Sequence, residues 1–232
     1  HHTLCFTSSI KELYEFGDLL IIALPSQVIR EVLIDFPKNW DKVVVSVAKG
    51  IENNTGQRMS EVISETLQIS NEQIVVLSGP SHAEEVVLKN PTTIVAASLN
   101  NNNAKSIQNL FSNNYFRVYT SDDLIGVELG GAAKNIIALA VGICYGLGYG
   151  DNTTAALVTR GLEEIIRFGI LLGAERSTFS GLSGMGDLVV TAFSVHSRNR
   201  QVGIRIGKGE KLQDILDDMK MVAEGVETKE QV

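Results

Sequence analysis

Up to about residue 122 the chain alternates short runs of Val and Ile with segments of helical period, and beyond it the runs stop. The runs cover residues 19–24, 43–47, 74–77, 93–97 and 116–119. They are continuously apolar rather than alternating, the pattern of strands covered on both faces. Between them, residues 26–36 place Val28, Val32, Leu33 and Phe36 on one helical face, and residues 57–69 do the same with Met59, Val62, Ile63 and Leu67. Strands alternating with helices predict βαβ units and a parallel sheet. The asparagine run at 100–103 reads as a polar turn. From residue 121 onward only helical patterns remain. The clearest, over 153–173, spaces Val158, Leu162, Ile165, Ile166, Gly169 and Leu172 on one face, with Asp151 or Asn152 as the expected N-cap. Glu163 and Arg167 sit four apart on the opposite face, a solvated pair. The expected division is an α/β domain over 1–122 and an all-helical domain over 123–232.

Charge narrows the function. Twenty Lys plus Arg against 27 Asp plus Glu give a net −7, with a pI near 5.2. A nucleic-acid or anionic-membrane partner would want a net basic face, so neither is expected. Cys5 and Cys144 provide neither a disulfide framework nor metal-ligand spacing, which fits a reducing cytoplasm. The most apolar stretch, 136–150, is 15 residues, short of the roughly 20 that a spanning helix needs. No basic segment leads into an apolar one at the start, so the expectation is a soluble cytoplasmic protein without a signal peptide. His1 and His2 are assigned no function.

Several segments combine Gly, small residues and isolated polar groups. Leu24-Pro25-Ser26, Val47-Ala48-Lys49-Gly50 and Leu77-Ser78-Gly79-Pro80-Ser81 each end a strand run and are read as starting a helix. All three would lie at the carboxyl edge of the sheet, where open α/β sheets bind ligands. Lys49 is either a surface lysine or a cation aimed at a ligand oxygen. In Glu128-Leu-Gly-Gly-Ala-Ala-Lys134-Asn135 the flanks are too apolar for an exposed helix, which favours a buried amine with a lowered pKa. The loop Ser180-Gly-Leu-Ser-Gly-Met-Gly-Asp187 offers backbone amides to an anion, and Asp187 is either a cap or a partner for an amine. Ser197-Arg198-Asn199-Arg200 suits either a solvated helix face or phosphate binding. His82 and His196 lack a metal-site pattern and are read as structural. No Gly-x-Gly-x-x-Gly turn follows a strand.

Taken in order, Ser78-Gly79-Pro80-Ser81-His82-Ala83, Glu128-Leu129 through Lys134-Asn135, Gly150-Asp151-Asn152-Thr153, Gly184-Met185-Gly186-Asp187, Ser197-Arg198-Asn199-Arg200 and Val222-Ala223-Glu224-Gly225 resemble the bacterial NAD(P)-dependent glycerol-3-phosphate dehydrogenases. The resemblance covers nearly the whole chain. Ala192 to His196 depart from the small Cys/Thr/Gly pattern expected of the family.

The resemblance implies a Rossmann-type dinucleotide-binding domain over 1–122, its first βαβ unit and Gly-rich turn lying upstream of His1. A helical substrate domain would follow over 123–232, continuing beyond the end of the chain. It implies reversible reduction of dihydroxyacetone phosphate to sn-glycerol 3-phosphate for phospholipid synthesis, with NAD or NADP as cofactor. Lys134 would be the acid and base, Lys49 would lie beside the same oxygen, and Asp187 would orient Lys134, with Thr191 nearby. Ser197, Arg198 and Asn199 would hold the phosphate. Gly79, Ser81 and Ala83 would line substrate and cofactor, while Lys49, Arg198, Val222 and Glu224 would reach the cofactor. No metal is implied, the expected partner is a small-molecule phosphate, and the assembly admitted is a homodimer. Two alternatives share the plan: a β-hydroxyacid dehydrogenase holding a carboxylate on Arg198, and a non-catalytic ligand-binding relative. Retention of Lys49, Lys134 and Asp187 together counts against the latter.

Overall fold

The computed structural model describes residues 4–218. A short helix, α1 (Ile10–Phe16), leads into five strands in the order β1 (Leu20–Ile22), β2 (Val44–Ser46), β3 (Ile74–Ser78), β4 (Thr92–Ala97) and β5 (Phe116–Ser121). Every residue of β2 and β3 is buried, so their apolar runs do not alternate. One face of the sheet is covered by α2 (Ile29–Leu33) and α3 (Met59–Leu67), which bury Ile29, Leu33, Val62, Ile63 and Leu67 with Val44 and Val76. The other face packs Val45, Val75, Leu77 and Ile94 against Ile107 and Phe111 of α5 (Asn101–Phe111). Tyr14, Phe36 and Trp40 stack edge-on, with ring centroids 5.3–5.7 Å apart, and so fasten α1 to the sheet domain.

Two details differ from the sequence reading. The sheet is parallel at β1–β2, β2–β3 and β4–β5, but β4 runs antiparallel to β3. The connection between them carries only α4 (Ala83–Val87), which buries no side chain. It does not pack across the sheet as a parallel crossover helix must, and a turn through Lys89 (φ 61°) sends the strand back. The asparagine run is not a turn but the start of α5, with Asn100 as its N-cap accepting from the Asn102 amide.

Beyond β5 the described residues are helical. Asp123 caps α6 (Leu124–Gly146) by accepting from the Gly126 amide at 2.8 Å. Its other carboxylate oxygen accepts from Glu175 N and Thr178 Oγ1, which ties α8 (Arg176–Phe179) to the same point. The apolar stretch of the sequence belongs to this helix of 23 residues, long and apolar enough to cross a membrane by composition alone, yet 72% of its most apolar window is buried inside the protein. It is the core helix, packing Leu129, Ala132 and Ala133 against Leu162, Ile165 and Ile166 of α7 (Asp151–Leu171). The N-cap of α7 is Gly150, and Asp151 is its first helical residue.

On another side α6 meets α10 (Arg198–Gly207) with almost nothing between the backbones. A Cβ on Gly142 would meet the Arg200 carbonyl, and one on Gly203 the Leu139 carbonyl. Gly146 and Gly207 repeat this contact one turn along. The small-residue spacing at four allows the close approach, as it does for helices elsewhere. The chain continues into α11 (Leu212–Asp218), whose Ile215 packs on Val202.

The segment before α9 (Asp187–Phe193) is a π-helical turn, Leu182–Gly186. A Cβ at Gly184 would collide with the Phe179 backbone, and one at Gly130 would lie 2.6 Å from the Ser183 carbonyl. The glycines of this loop therefore serve close packing against α6. They do not form the open amide cradle that their number suggested, since Ser183 and Gly184 are buried and Gly186 N is bonded to Gly181 O.

Candidate functional site

Lys49 follows β2 in a segment without regular secondary structure, not at a helix start as the sequence suggested. The next element is an isolated bridge of Ile51 with Arg58, and α3 begins only at Met59. The side chain is thereby directed along the carboxyl edge of the sheet. Its Nζ donates to the Gly79 carbonyl at 3.0 Å and to Asp187 Oδ2 at 2.7 Å. Gly79 has a φ of +140°, a conformation open to glycine, and a Cβ there would press on Ile94 Cα at 3.0 Å.

Lys134 lies on α6 with a side chain only 7% exposed, and it donates to the other carboxylate oxygen of Asp187, itself 1% exposed. One carboxylate thus bridges two amines. Burial lowers the Lys134 pKa to about 7, and the nearby positive charge of Lys49 pushes the same way, while Asp187 opposes both. The π turn sets Asp187 at the start of α9 so that it faces α6. The Thr191 hydroxyl, one turn on in α9, donates to the Asp187 carbonyl at 2.6 Å.

While Asp187 stays buried outside the lining, Lys49, Lys134 and Thr191 open onto a cavity of about 320 Å³. Its wall brings together Lys49, Ser81, Ala83, Lys134, Thr191, Ser197, Arg198 and Asn199, all singled out in the sequence. Gly79 stands behind it as the partner of Lys49. Ser197 is the N-cap of α10, its hydroxyl accepting from Arg200 N at 3.3 Å, so the amino end of that helix faces the cavity with Arg198 and Asn199. Val222 and Glu224 lie outside the described residues. The sequence reading left out Asn135 and Glu84, and it took His82 for a structural residue, although all three line the wall. Asn135 and His82 stood within the motifs already marked, next to Lys134 and Ser81, so adjacency was the available signal. A wider apolar groove of about 890 Å³ runs along α9 past Met185, Val189 and Phe193, without the paired amines.

Behind Lys134 on the same helix, buried Glu128 accepts from Arg58 Nη1 at 2.7 Å and from both the amide and the hydroxyl of Ser60 at the start of α3. Burial raises its pKa, while Arg58 and Ser60 act against that shift. This network joins α6 to the sheet domain and fixes the side of the cavity on which Lys134 stands.

The edge of the sheet also fits the nicotinamide end of a dinucleotide. Buried Ser78 Oγ has no hydrogen-bond partner, and a Cβ on Gly131 would lie 2.8 Å from it, so this corner is kept small and polar beside Lys49. Among the described residues none forms a Gly-rich pyrophosphate turn, and no group of His, Cys, Asp and Glu is arranged to hold a metal.

Comparison with known proteins bears on the family and the fold. Residues 1–104 match the family described as NAD-dependent glycerol-3-phosphate dehydrogenase N-terminus, and residues 123–232 match its C-terminus. Glycerol-3-phosphate dehydrogenase [NAD(P)+] from Staphylococcus epidermidis is 53% identical over 229 residues, which is 97% of this chain and 69% of that protein. The protein of that name from Lysinibacillus sphaericus is 53% identical over 96% of this chain and 67% of its own length. The crystal structure of glycerol-3-phosphate dehydrogenase from Coxiella burnetii superimposes with a TM-score of 0.90 at 34% identity, covering 97% of this chain and 69% of that one. With both family models, these relatives and the shared fold in agreement, the chain belongs to the NAD-dependent glycerol-3-phosphate dehydrogenase family.

Proposed function

We propose that Lys134, clamped by Asp187 and flanked by Lys49, is the acid and base with which this NAD(P)-dependent glycerol-3-phosphate dehydrogenase interconverts dihydroxyacetone phosphate and sn-glycerol 3-phosphate. The observation that carries this reading is a buried lysine with a pKa near 7 in the wall of a cavity that also presents Arg198. The bound nicotinamide supplies or accepts the hydride at the central carbon. In reduction, the Lys134 ammonium protonates the central oxygen as the carbonyl is lost, so that no free alkoxide forms. In oxidation, the neutral amine takes that hydroxyl proton. Lys49 adds positive charge beside the same oxygen, and the Asp187 carboxylate holds both amines in place.

Arg198, Asn199 and the amino end of α10 hold the phosphate. A guanidinium has the fork geometry for phosphate oxygens, and the helix end adds its partial positive charge. The dianion thus fixes one end of a three-carbon molecule while its centre lies at Lys134. The product serves glycerophospholipid synthesis in the cytoplasm.

The direct test is loss of nicotinamide absorbance with dihydroxyacetone phosphate, using the full enzyme and either NADH or NADPH. Turnover with the phosphate compound and none with unphosphorylated dihydroxyacetone supports the assignment. Equal turnover of the two would overturn the phosphate role of Arg198, and no turnover of either would overturn the activity.

A further inference from the structure

The segment that carries Lys49, from Val47 to Gly50, has no regular secondary structure to hold it. On its amino side it leaves the sheet where Val47 N donates to the Ile22 carbonyl at 3.1 Å. On its carboxyl side it is held from a short 3₁₀ turn after β1, Ser26–Val28. The Gln27 carboxamide of that turn donates to the Ile51 carbonyl at 2.8 Å and accepts from the Asn53 amide at 2.9 Å. A Cβ on Gly50 would collide with Ser26 Oγ, so nothing separates the two segments there. Three residues on, Arg30 grips the Glu52 carboxylate through Nε at 2.8 Å and Nη2 at 3.0 Å.

Arg30 thus holds a side chain, whereas Gln27 holds main chain on both sides of Glu52. A lysine stem is flexible, so its ammonium is only as well placed as the main chain beneath it. Gln27 lines no part of the cavity, yet it fixes that main chain two residues beyond Lys49. We infer that Gln27 is a positioning residue for the reaction: its carboxamide keeps the Lys49 segment against the turn after β1, and so keeps the Lys49 ammonium on Asp187. This rests on the roles of Lys49 and Lys134 given under the proposed function, and adds to them the group that sets the two amines against one carboxylate.

The consequence is electrostatic. Lys134 is faced by Asp187 of α9 and by Lys49, with His82, Glu84 and Arg198 in the same cavity wall. After burial, the charge of Lys49 is what lowers the Lys134 pKa, and Asp187 raises it. A Lys49 that leaves Asp187 lowers it less, so the Lys134 ammonium survives to higher pH.

The experiment follows the pH dependence of dihydroxyacetone phosphate reduction by the full enzyme. Gln27→Met removes both hydrogen bonds while keeping the length of the side chain. It should lower kcat/KM by about tenfold and move the midpoint of the fall in rate upward by about half a pH unit or more. Gln27→Asn, with the carboxamide on a shorter stem, should move it the same way. Lys49→Met should also raise the midpoint, and adding Gln27→Met to it should move it no further. Val62→Ala, a truncation in the buried core of α3, is the comparison for lost stability alone and should leave the midpoint in place. A midpoint unmoved in the folded Gln27 variants or in Lys49→Met, or a further shift in the double variant, would overturn the inference while leaving Lys134 as the acid and base. A profile that Lys134→Ala leaves unchanged would overturn the proposed role of Lys134 and this inference with it.

Discussion

Lys134 owes its chemistry to the smallness of its neighbours. Gly130 and Gly131 let the π turn and the sheet edge close over the amine, and burial then lowers its pKa to about 7. In the role proposed for Lys134, reduction needs the ammonium, so its rate should fall as pH rises through about 7; oxidation needs the amine and should rise over the same range. Lys134→Ala should lower kcat by about 10²–10⁴ and remove that titration from both profiles. Lys134→Arg should fail nearly as badly, because a guanidinium does not release its proton. A profile unchanged in Lys134→Ala would transfer the role to Lys49. Arg198→Ala should raise KM for dihydroxyacetone phosphate by roughly 30- to 1000-fold, the loss of a charge-assisted contact. A wild-type KM in that variant would remove the residue from the phosphate site. Lys49, Lys134 and Asp187 were legible because apolar or Gly-rich flanks make a lone charged residue conspicuous. His82, read as structural, was not legible as part of the cavity wall, since a single histidine carries no spacing.

At the scale of elements, the contact of α6 with α10 decides where Arg198 stands. Gly203 lies with its missing Cβ 2.9 Å from Gly142 Cα, so any side chain there must push the helices apart. Gly203→Leu should lower thermal stability and raise KM for the phosphate substrate more than it lowers the affinity for the cofactor. A substitution at Gly150, where a Cβ would meet nothing within 4 Å and the backbone is extended, serves as the comparison. A Gly203→Leu enzyme with unchanged melting temperature and KM would show that the helices do not need this contact. The sequence displayed the glycines but not their partners, because a spacing of four becomes a helix contact only when a second such helix lies opposite. Strand positions were readable from continuous Val and Ile runs. The reversal of β4 was not, since strand direction depends on what the connecting segment packs against, and α4 buries nothing.

Across the whole molecule, the sheet domain and the helical region are joined through Glu128, which draws Arg58 and Ser60 of the first onto α6 of the second. Removing one partner of a buried ion pair leaves the other uncompensated, at a cost of about 3–5 kcal/mol. Glu128→Ala should therefore lower the melting temperature by roughly 6–20 °C for a chain of this size. Glu128→Gln, which keeps an acceptor for Ser60, should lose less. Equal stability of Glu128→Ala and the wild type would mean that the packing of Leu124 and Val127 on the sheet core holds the two parts together unaided. The change of period near residue 122 was visible in the sequence, whereas this joint was not, because nothing in the Arg58 segment marks a partner 70 positions away.

The glycine seam between α6 and α10 has one more consequence. Lys134 and the arginine proposed to hold the phosphate ride on two helices spaced by main chain rather than by side chains. The span between proton transfer and anion is therefore a gauge cut into the backbone. Exchanging residues along the cavity wall changes what fills that span but not its length. A relative that handled a longer phosphate would have to slide one helix along the other by a turn, from one glycine pair to the next, and could not reach the new length by gradual substitution.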